Sequence, residues 1–446
     1  MDLSKAIALD KAETLAFVGD GGKTDAMFAL ARLLPSPVII TTTTHLDGWQ
    51  VSLADEHRII QSIDDVEGLD FTQERILLLT GPFGKNNHLM GLEESTLDSL
   101  HTFCQRMGVP LLIDGDEARH RSLKAPADNE PVIPTWVDKV VVMAGLQGLG
   151  KPLHADYVHR PEYFSLITGL HFGEKIEVEH LIKLLKSDLG GLKGIPLGAQ
   201  RILFLNQAEG SFLSAKAGQI ARALVDHYDK VLIGSLHAAN PNEVVSCVHV
   251  RTAGVILAAG GSERLGTPKQ LLDWQGKPFI QNVVQNALEA GLEPLAAVTG
   301  ADNEMISASL STFPVKIVHN PDWKSGQASS MQVGLGALPK NCDSVMFLLC
   351  DQPQISADLI RQLVDRYAQN RLPITAPLIR DQRGNPVLFS RETFKALMKV
   401  EGDQGGRAVF SQFNVDWLPW IDERDLMDVD EMGDLEMLRS AYFLSN

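Results

Sequence analysis

A small-residue segment in the second half of the chain has the composition of a triphosphate-binding loop. It follows an apolar run and consists of Leu257, Ala258, Ala259, Gly260 and Gly261. Glycines and small side chains let main-chain N–H groups approach a ligand closely. Arg264 and Lys269 follow in the same segment and bring two cations to it. We therefore predict that the loop holds a nucleoside triphosphate and that both cations are catalytic, because they offset phosphate charge.

Carboxylates further along the chain have the positions expected of metal ligands. Asp351 follows the apolar run 344–349, so we expect it at the carboxyl end of a strand, where open α/β sheets bind ligands. Asp430 comes from a later segment, and the two carboxylates together are suited to hold Mg²⁺ with phosphate oxygens. Asp428 competes with Asp430 for this role. A helix N-cap is the alternative role for Asp351, and a solvated acidic surface is the alternative for Asp430.

The chemistry that these residues support is nucleotidyl transfer. An acceptor phosphate attacks the α-phosphorus of a nucleoside triphosphate, and pyrophosphate leaves in line. Positioning and charge neutralisation dominate such reactions, so no side-chain nucleophile is required. The alternative for the small-residue segment is a tight turn between a strand and a helix, with solvated charges.

A second glycine loop lies near the start of the chain. It contains Gly19, Gly21, Gly22, Lys23 and Thr24. Its main-chain amides, the following helix N-terminus and the lysine form an anion cradle, and Thr24 is placed to reach Mg²⁺. Asp114 ends the apolar run 110–113 and is the second predicted metal ligand of this loop. The pattern is not a full Walker A motif, because Phe17 stands where a glycine is required. A glycine turn without a ligand is the alternative.

Short apolar runs that alternate with helical patterns must position these residues. The predicted strands are 14–18, 37–41, 75–79, 110–113, 139–143, 201–205, 230–233, 252–257, 294–298, 315–319, 344–349, 374–377 and 386–389. The predicted crossover helices are 25–34, 95–108, 215–228, 280–290 and 357–369. The pattern is typical of an α/β fold with mostly parallel sheets that helices cover on both faces.

Length and composition indicate two domains of an ordinary globular protein. A chain of 446 residues exceeds what one hydrophobic core usually supports, and a new strand pattern begins near residue 248. We predict domains at 1–247 and 248–446. The net charge of −16 argues against a nucleic-acid or acidic-membrane partner. The chain begins without a secretory signal pattern and contains no apolar run of about 18 residues, so we expect a cytoplasmic protein.

The second half resembles the molybdenum cofactor nucleotidyltransferases. The segment from Leu257 to Lys269 matches the family signature apart from Leu265, where methionine is common. Further matching motifs follow in family order: Asn320–Ser330, Leu348–Pro353, Arg383–Phe389, Gly402–Arg407 and Asp428–Asp430. The resemblance implies a Rossmann-like fold. It also implies roles for Gly326, Ser330, Asn385, Asp403 and Arg407 in holding the nucleotide and the acceptor.

The resemblance further implies a substrate pair. Family members with Ala-Ala-Gly in the loop resemble the cytidylyltransferases, and those with a Gly-Gly pair resemble the guanylyltransferases. Ala258 and Ala259 therefore favour CTP, with the phosphate of molybdopterin as acceptor and molybdopterin cytosine dinucleotide as product. A molybdenum hydroxylase apoenzyme is the implied partner. The alternative acceptor is a sugar phosphate or a polyol phosphate.

The first half resembles the YqeC family, described as accessory proteins of selenium-dependent molybdenum hydroxylases. The matching stretches are Gly19–Thr24, Thr41–His45, Asp114–Gly115, Lys124–Pro126, Gly145–Pro152, His159–Glu162 and Gly191–Pro196. The resemblance is consistent with a P-loop-like domain that binds ATP or GTP. The alternative is a non-catalytic module that binds the cofactor or docks on the hydroxylase.

Overall fold

The computed structural model describes residues 1–443 apart from 36, 70–75, 85–87, 118–120, 263–264 and 341. Arg264, and Arg75 at the start of a predicted strand, lie outside the described residues. The chain divides into two compact units, Met1–His249 and Val250–Asn446. None of the helices in the described part of the chain has both the length and the apolar character that a membrane crossing requires.

The N-terminal unit is built from thirteen strands and seven α-helices in its described residues. The strands are β1 Thr14–Gly19, β2 Val38–Thr42, β3 His45–Asp47, β4 Glu56–Ile59, β5 Ile76–Thr80, β6 His88–Met90, β7 Leu111–Asp114, β8 Leu123–Lys124, β9 Lys139–Gly145, β10 Val158–His159, β11 Gln200–Asn206, β12 Lys230–Gly234 and β13 Val245–His249. The helices are α1 Leu3–Ile7, α2 Lys23–Leu33, α3 Ile63–Glu67, α4 Glu94–Met107, α5 Pro161–Thr168, α6 Val178–Leu185 and α7 Gly210–Leu224.

A nine-stranded sheet with the order β13-β12-β11-β9-β1-β7-β2-β5-β4 organises this unit. All its neighbours run parallel except β13, which pairs antiparallel with β12. Alternate residues of β1 bury on opposite faces. Ala16 and Val18 join a core that α4, α5, α6 and α7 complete, and β1 also contacts α2. The glycine loop therefore starts at the carboxyl end of a central, fully buried strand.

The C-terminal unit has its own strands and helices. The strands are β14 Thr252–Ala258, β15 Asp273–Trp274, β16 Lys277–Pro278, β17 Leu295–Thr299, β18 Lys316–His319, β19 Ser344–Leu349, β20 Ile374–Ile379, β21 Gln382–Arg383, β22 Val387–Ser390 and β23 Val415–Pro419. The helices are α8 Phe279–Glu289, α9 Asn303–Ser309, α10 Gln327–Gly336, α11 Ala357–Asn370, α12 Phe394–Leu397 and α13 Met432–Phe443.

The sheet of this unit has the order β18-β17-β14-β19-β22-β20-β21, with β23 paired to β20. Strands β18, β17, β14 and β19 are parallel, whereas β22 is antiparallel to both β19 and β20. In the register of β14 and β19, Leu257 lies opposite Leu349. Because parallel strands end at the same sheet edge, the glycine loop after β14 and Asp351 after β19 must be neighbours.

The α/β class and the parallel central strands confirm the expectation from the sequence. Each predicted strand overlaps an observed one, including 252–257 with β14 and 344–349 with β19. The sequence pattern did not reveal short or edge strands such as β4 and β23, because these strands lack a continuous apolar run. The sequence pattern also did not predict that β22 runs antiparallel to its neighbours.

Candidate functional site

The glycine loop of the C-terminal unit, Leu257–Gly261, is fixed by hydrogen bonds from one buried side chain. Gln270, which is 1% exposed, donates from Nε2 to the main-chain oxygens of Ala258 at 3.0 Å and Gly260 at 2.8 Å. The N–H of Ala301, which follows β17, donates to Ala259 O at 3.0 Å. Ser262 Oγ accepts from the N–H of Lys269 at 2.6 Å and closes the segment. Three successive carbonyls of the loop are thus fixed in direction.

The glycines of this loop, and Gly300 beside it, have different surroundings. A Cβ placed on Gly261 would lie 2.8 Å from Trp323, and one on Gly300 would lie 2.5 Å from Ala259 O. Both positions therefore need glycine for packing against Trp323 and the loop. A Cβ on Gly260 would meet nothing within 4 Å. Gly260 thus faces open space, as a residue that approaches a ligand should.

Lys269 joins the glycine loop to the acidic residues. Its Nζ lies 2.6 Å from Asp351 Oδ2 and 3.2 Å from Asp430 Oδ1. Burial by itself lowers the pKa of the Lys269 ammonium, but the two carboxylates outweigh burial and raise that pKa. The structure therefore brings together three of the residues predicted to act in catalysis or metal binding.

A third carboxylate, Asp428, lies beside this group. Gln352 Nε2 donates to Asp428 Oδ1 at 2.7 Å. Burial, and then the neighbouring Asp351 carboxylate, raises the pKa of Asp428. Asp428 is an exposed residue by its solvent accessibility, as is Asp430, whose side chain is 59% exposed. Three carboxylates facing one lysine leave an excess of negative charge that a divalent cation would offset.

The donor set fits Mg²⁺ bound through few protein ligands. Asp351 Oδ1 is buried and has no hydrogen-bond partner among the described residues. No group of three or more His, Cys, Asp or Glu side chains in that part of the chain is arranged as a complete metal cage. Mg²⁺ usually takes one or two carboxylates together with phosphate oxygens and water, so a complete protein cage is not required.

Two adjoining cavities open at this sheet edge. One, of about 370 Å³, is lined by the glycine loop, Lys269, Trp323, Lys324, Gly326 and Ser330. The other, of about 420 Å³, is lined by Arg383, Asn385, Arg407 and apolar side chains. Leu257, Gln327, Leu349, Asp351 and Asp403 line both. The predicted metal ligand Asp351 therefore stands on the wall that the two cavities share.

Gly326 and Ser330 line the first cavity from the start of α10. Gly326 has a φ of 114°, and a Cβ there would lie 2.4 Å from the main chain of Gly402. Asp403 Oδ1 accepts from the N–H of Gln327 at 3.2 Å. The hydroxyl of Ser330 is bonded to Asn320 Nδ2 at 3.0 Å. Only glycine at 326 allows this close approach between the helix N-terminus and the 402–405 loop.

The second cavity combines cations with an aromatic wall. Arg383 lies 5.1 Å from the ring centroid of Phe410, and Phe347 and Phe389 meet edge to face. Arg407 and Asn385, both predicted from the sequence, line the same cavity. Such a wall suits a planar, anionic ligand.

The N-terminal glycine loop has a different environment. Gly19, Gly21 and Gly22 all have positive φ, and a Cβ on Gly19 or Gly21 would clash with the main chain of Met143 or Gly145 at 2.4 Å. Asn206 Nδ2 donates to Gly21 O at 2.7 Å and anchors the loop. Glycine at these positions is therefore required for the fold of the loop.

Lys23 is enclosed by acidic residues. Its side chain has no exposed surface, and its Nζ lies 2.5 Å from both Asp114 Oδ1 and Asp116 Oδ1. Burial alone lowers the pKa of Lys23, but the two carboxylates reverse the effect and raise it. Asp116 is shared with Lys124, which also binds Glu130. The lysine thus belongs to a buried charge network instead of projecting from the loop.

The predicted Mg²⁺ ligands of this loop do lie together. Thr24 and Asp114 line one small cavity with Asp116 and Glu117. Thr24 Oγ1 accepts from Gln50 Nε2 at 2.9 Å, and Asp114 is paired with Lys23. These oxygens suit Mg²⁺, and a metal there would share them with their present partners.

Sequence reasoning missed Gln270, Gln327 and Arg383 as side chains that build the site. Arg383 lies within one of the matching motifs, but nothing in its spacing assigns it a role. Gln270 follows Lys269 directly, and its function depends on which carbonyls it reaches. A polar residue between Lys269 and the apolar pair Leu271–Leu272 was the one available signal.

Two family models match the chain. Residues 254–416 match the MobA-like NTP transferase domain. Residues 15–162 match the YqeC protein family. The first match spans the glycine loop, Lys269, Asp351 and the aromatic cavity, and the second spans the N-terminal glycine loop and its charge network.

Three named relatives are similar to parts of this chain. Nicotine blue oxidoreductase of Paenarthrobacter nicotinovorans is 30% identical over 199 residues, which cover 43% of this chain and 95% of the relative. The uncharacterized protein YqeC of Escherichia coli is 30% identical over 201 residues, covering 43% of this chain and 75% of the relative. A probable molybdenum cofactor guanylyltransferase of Bacillus mycoides is 25% identical over 183 residues, which cover 40% of this chain and 88% of the relative.

Proposed function

Because the chain belongs to the MobA-like NTP transferase family through its second unit and to the YqeC family through its first, we propose that it transfers CMP from CTP to the phosphate of molybdopterin. The products are molybdopterin cytosine dinucleotide and pyrophosphate. The protein would thereby mature the cofactor of molybdenum hydroxylases.

One observation carries the proposal: Asp351 stands on the wall between a cavity formed by the glycine loop and a cavity lined by Arg383, Arg407 and aromatic rings. Nucleotidyl transfer joins two substrates at one phosphorus. The residues that neutralise charge must therefore lie where the two cavities meet. The aromatic wall favours a planar heterocycle over a sugar as the acceptor.

The residues of the chain would act by positioning and charge. The loop amides and Lys269 hold the triphosphate, and Arg264 is proposed to join them. The Arg407 and Asn385 side chains hold the acceptor so that its phosphate oxygen faces the α-phosphorus. Asp351, with Asp430 or Asp428, would hold Mg²⁺, which would supply Lewis-acid stabilisation of the phosphate charge when bound. The in-line geometry then releases pyrophosphate toward the glycine loop.

The nucleotide base is the finer part of the proposal. Ala258 and Ala259 support CTP, and both are buried at the loop, with 2% and 4% exposure. Relatives such as the Bacillus mycoides protein carry the name guanylyltransferase. GTP is therefore the competing nucleotide, and the assay must offer both.

The test is turnover by the full chain with Mg²⁺, molybdopterin and either CTP or GTP. We expect pyrophosphate release with CTP and a product whose mass corresponds to the cytosine dinucleotide. The Asp351→Asn variant, purified in the same way, controls for contaminating activity. Turnover with a sugar phosphate or a polyol phosphate, and none with molybdopterin, would show that the acceptor is not molybdopterin. Because one relative is named an oxidoreductase, reduction of a dye by NADH without pyrophosphate release would overturn the reaction class.

For the N-terminal unit we propose nucleotide binding, ATP or GTP, at the loop Gly19–Thr24 with Mg²⁺ at Thr24 and Asp114. The cavity that joins Thr24 to Asp114 supports this placement. ATP and GTP hydrolysis measured in an Asp351→Asn background isolates this unit from the other site. Loss of hydrolysis in Thr24→Val, which leaves the Lys23 charge network intact, is the expected result. If the Asp351→Asn protein fails to hydrolyse ATP and GTP both with and without Thr24→Val, a non-catalytic docking module would be favoured.

A further inference from the structure

The side chain of Gln270 ends in a buried amide, and both of its donor hydrogens bond main-chain oxygens of the glycine loop. Nε2 bonds Gly260 O at 2.8 Å and Ala258 O at 3.0 Å. The side chain follows Lys269 and is 1% exposed. Its Oε1 is buried too and has no hydrogen-bond partner among the described residues.

These two bonds determine where the loop amides point. In a trans peptide the C=O of one residue and the N–H of the next point in opposite directions. With Ala258 O and Gly260 O directed at Gln270, the N–H groups of Ala259 and Gly261 are directed away from it. The bond from Ala301 N to Ala259 O fixes the peptide between them in the same manner. Ala258, Ala259, Gly260 and Gly261 all line the first cavity.

We infer that Gln270 is a positioning residue for nucleotide binding. It orients the loop peptides so that their N–H groups donate to the triphosphate. The inference rests on the proposed function of the loop. Gln270 also lines the first cavity, but its two donor hydrogens are engaged with loop carbonyls, so it acts through the main chain. It determines nucleotide affinity and leaves the acceptor cavity unaffected, since it does not line that cavity.

The burial of this amide is explained by the two loop carbonyls to which it donates. An unpartnered buried oxygen carries a desolvation penalty, and an apolar side chain of the same length would avoid it. A methionine would fill the same volume, yet it could not orient two carbonyls. The amide is therefore explained by what its donor hydrogens do to the loop.

Gln332 provides a matched control on α10. Its Nε2 also donates to two main-chain oxygens, those of Met398 at 3.2 Å and Val400 at 2.8 Å. Gln332 lines neither cavity. Replacing it removes bonds of the same kind at a distance from the loop.

The experiment compares Gln270→Met and Gln270→Glu with Gln332→Met in the full chain. The measured quantities are the Kd for Mg-CTP and Mg-GTP without acceptor, the KM of each substrate, kcat and Tm. Both Gln270 variants should bind nucleotide about 10- to 100-fold more weakly, with the acceptor KM unchanged. Gln332→Met should bind nucleotide normally despite a similar fall in Tm.

A pH series adds a readout that packing alone would not move. The carboxyl group that Gln270→Glu introduces can donate one hydrogen bond to a loop carbonyl when it is protonated, whereas its ionised form repels both carbonyls. Relative to wild type at each pH, Gln270→Glu should regain nucleotide affinity as the pH falls, and Gln270→Met should not. Wild-type affinity in both Gln270 variants would overturn the inference while leaving the proposed function intact. Failure of the wild type to bind either nucleotide would instead overturn the proposed function.

Discussion

The ammonium nitrogen of Lys269 lies 2.6 Å from Asp351 Oδ2, although 82 residues separate the two in sequence. The contact is a consequence of strand order, because β14 and β19 are parallel neighbours whose carboxyl ends meet. It couples the residue proposed to bind the triphosphate to the residue proposed to bind the metal. Each of the two therefore depends on the other for its position.

Replacing Asp351 should abolish metal-dependent turnover. Asp351→Asn keeps the shape of the side chain but removes the charge that is proposed to hold Mg²⁺. We expect kcat to fall by about 10²-fold or more. The control is Asp358→Asn, which removes an exposed carboxylate of the same unit at the start of α11. Normal Mg²⁺-dependent turnover in Asp351→Asn would show that the metal lies elsewhere.

Gly260→Ala should damage activity without damaging the fold. A Cβ at this position meets nothing within 4 Å, so Tm should change little. If the triphosphate lies against the loop, the added methyl group occupies its place, and the nucleotide KM should rise about tenfold. Gly336→Ala, where a Cβ also meets open space, is the matched control. An unchanged KM in Gly260→Ala would place the triphosphate away from this residue.

The base preference should respond to the two alanines of the loop. Changing Ala258 and Ala259 together to glycine gives the loop more conformational freedom and removes two buried methyl groups. We expect the ratio of kcat/KM for CTP to that for GTP to fall. The ratio is measured with both nucleotides in one competition assay. If it stays constant, the base is read by other residues.

Lys23→Ala should destabilise the N-terminal unit strongly. It leaves the buried carboxylates of Asp114 and Asp116 without their shared cation, so we expect a loss of about 3 kcal/mol in the free energy of unfolding. Lys5→Ala breaks an ion pair whose lysine side chain is 76% exposed, and this control should cost less than about 1 kcal/mol. Denaturant unfolding compares the two. Equal losses would mean that the buried network contributes no more than the surface pair.

The stability of the C-terminal unit should depend on pH through Asp425. Burial raises the pKa of this carboxyl to about 6 from its usual 3.8, despite the hydrogen bond from Trp420 Nε1. A carboxyl with a raised folded-state pKa contributes most stability below pH 4, and the contribution disappears as the pH rises through 6. Asp425→Asn, which keeps an acceptor for Trp420, should therefore gain stability over wild type by about 2–3 kcal/mol at pH 8 and by almost nothing at pH 4. A difference independent of pH would contradict the assignment.

The sequence predicted the framework of the C-terminal site well because that framework follows from strand ends. Leu257–Gly261 and Asp351 both follow continuous apolar runs, and such runs identify buried parallel strands. Lys269 and Asp430 were also predicted to act near Asp351, and the structure places all three together.

Contacts made by side chains with the main chain could not be predicted in this way. Gln270 reaches Ala258 O and Gly260 O only because of how the chain turns after Gly266. The enclosure of Lys23 depends on Asp116, which stands two residues beyond the strand β7 that delivers Asp114. Local sequence records neither the turn angles nor the final rotamers.

The wall shared by the two cavities limits how such a site can diversify. Both cavities are lined by Leu257, Gln327, Leu349, Asp351 and Asp403. Under the proposed function, a replacement there would therefore alter the fit of both substrates at once. Under the same proposal, changes in acceptor preference are expected near Arg383 and Phe410, which line only the second cavity. Related proteins are therefore expected to vary at residues that line one cavity and to keep the residues that line both.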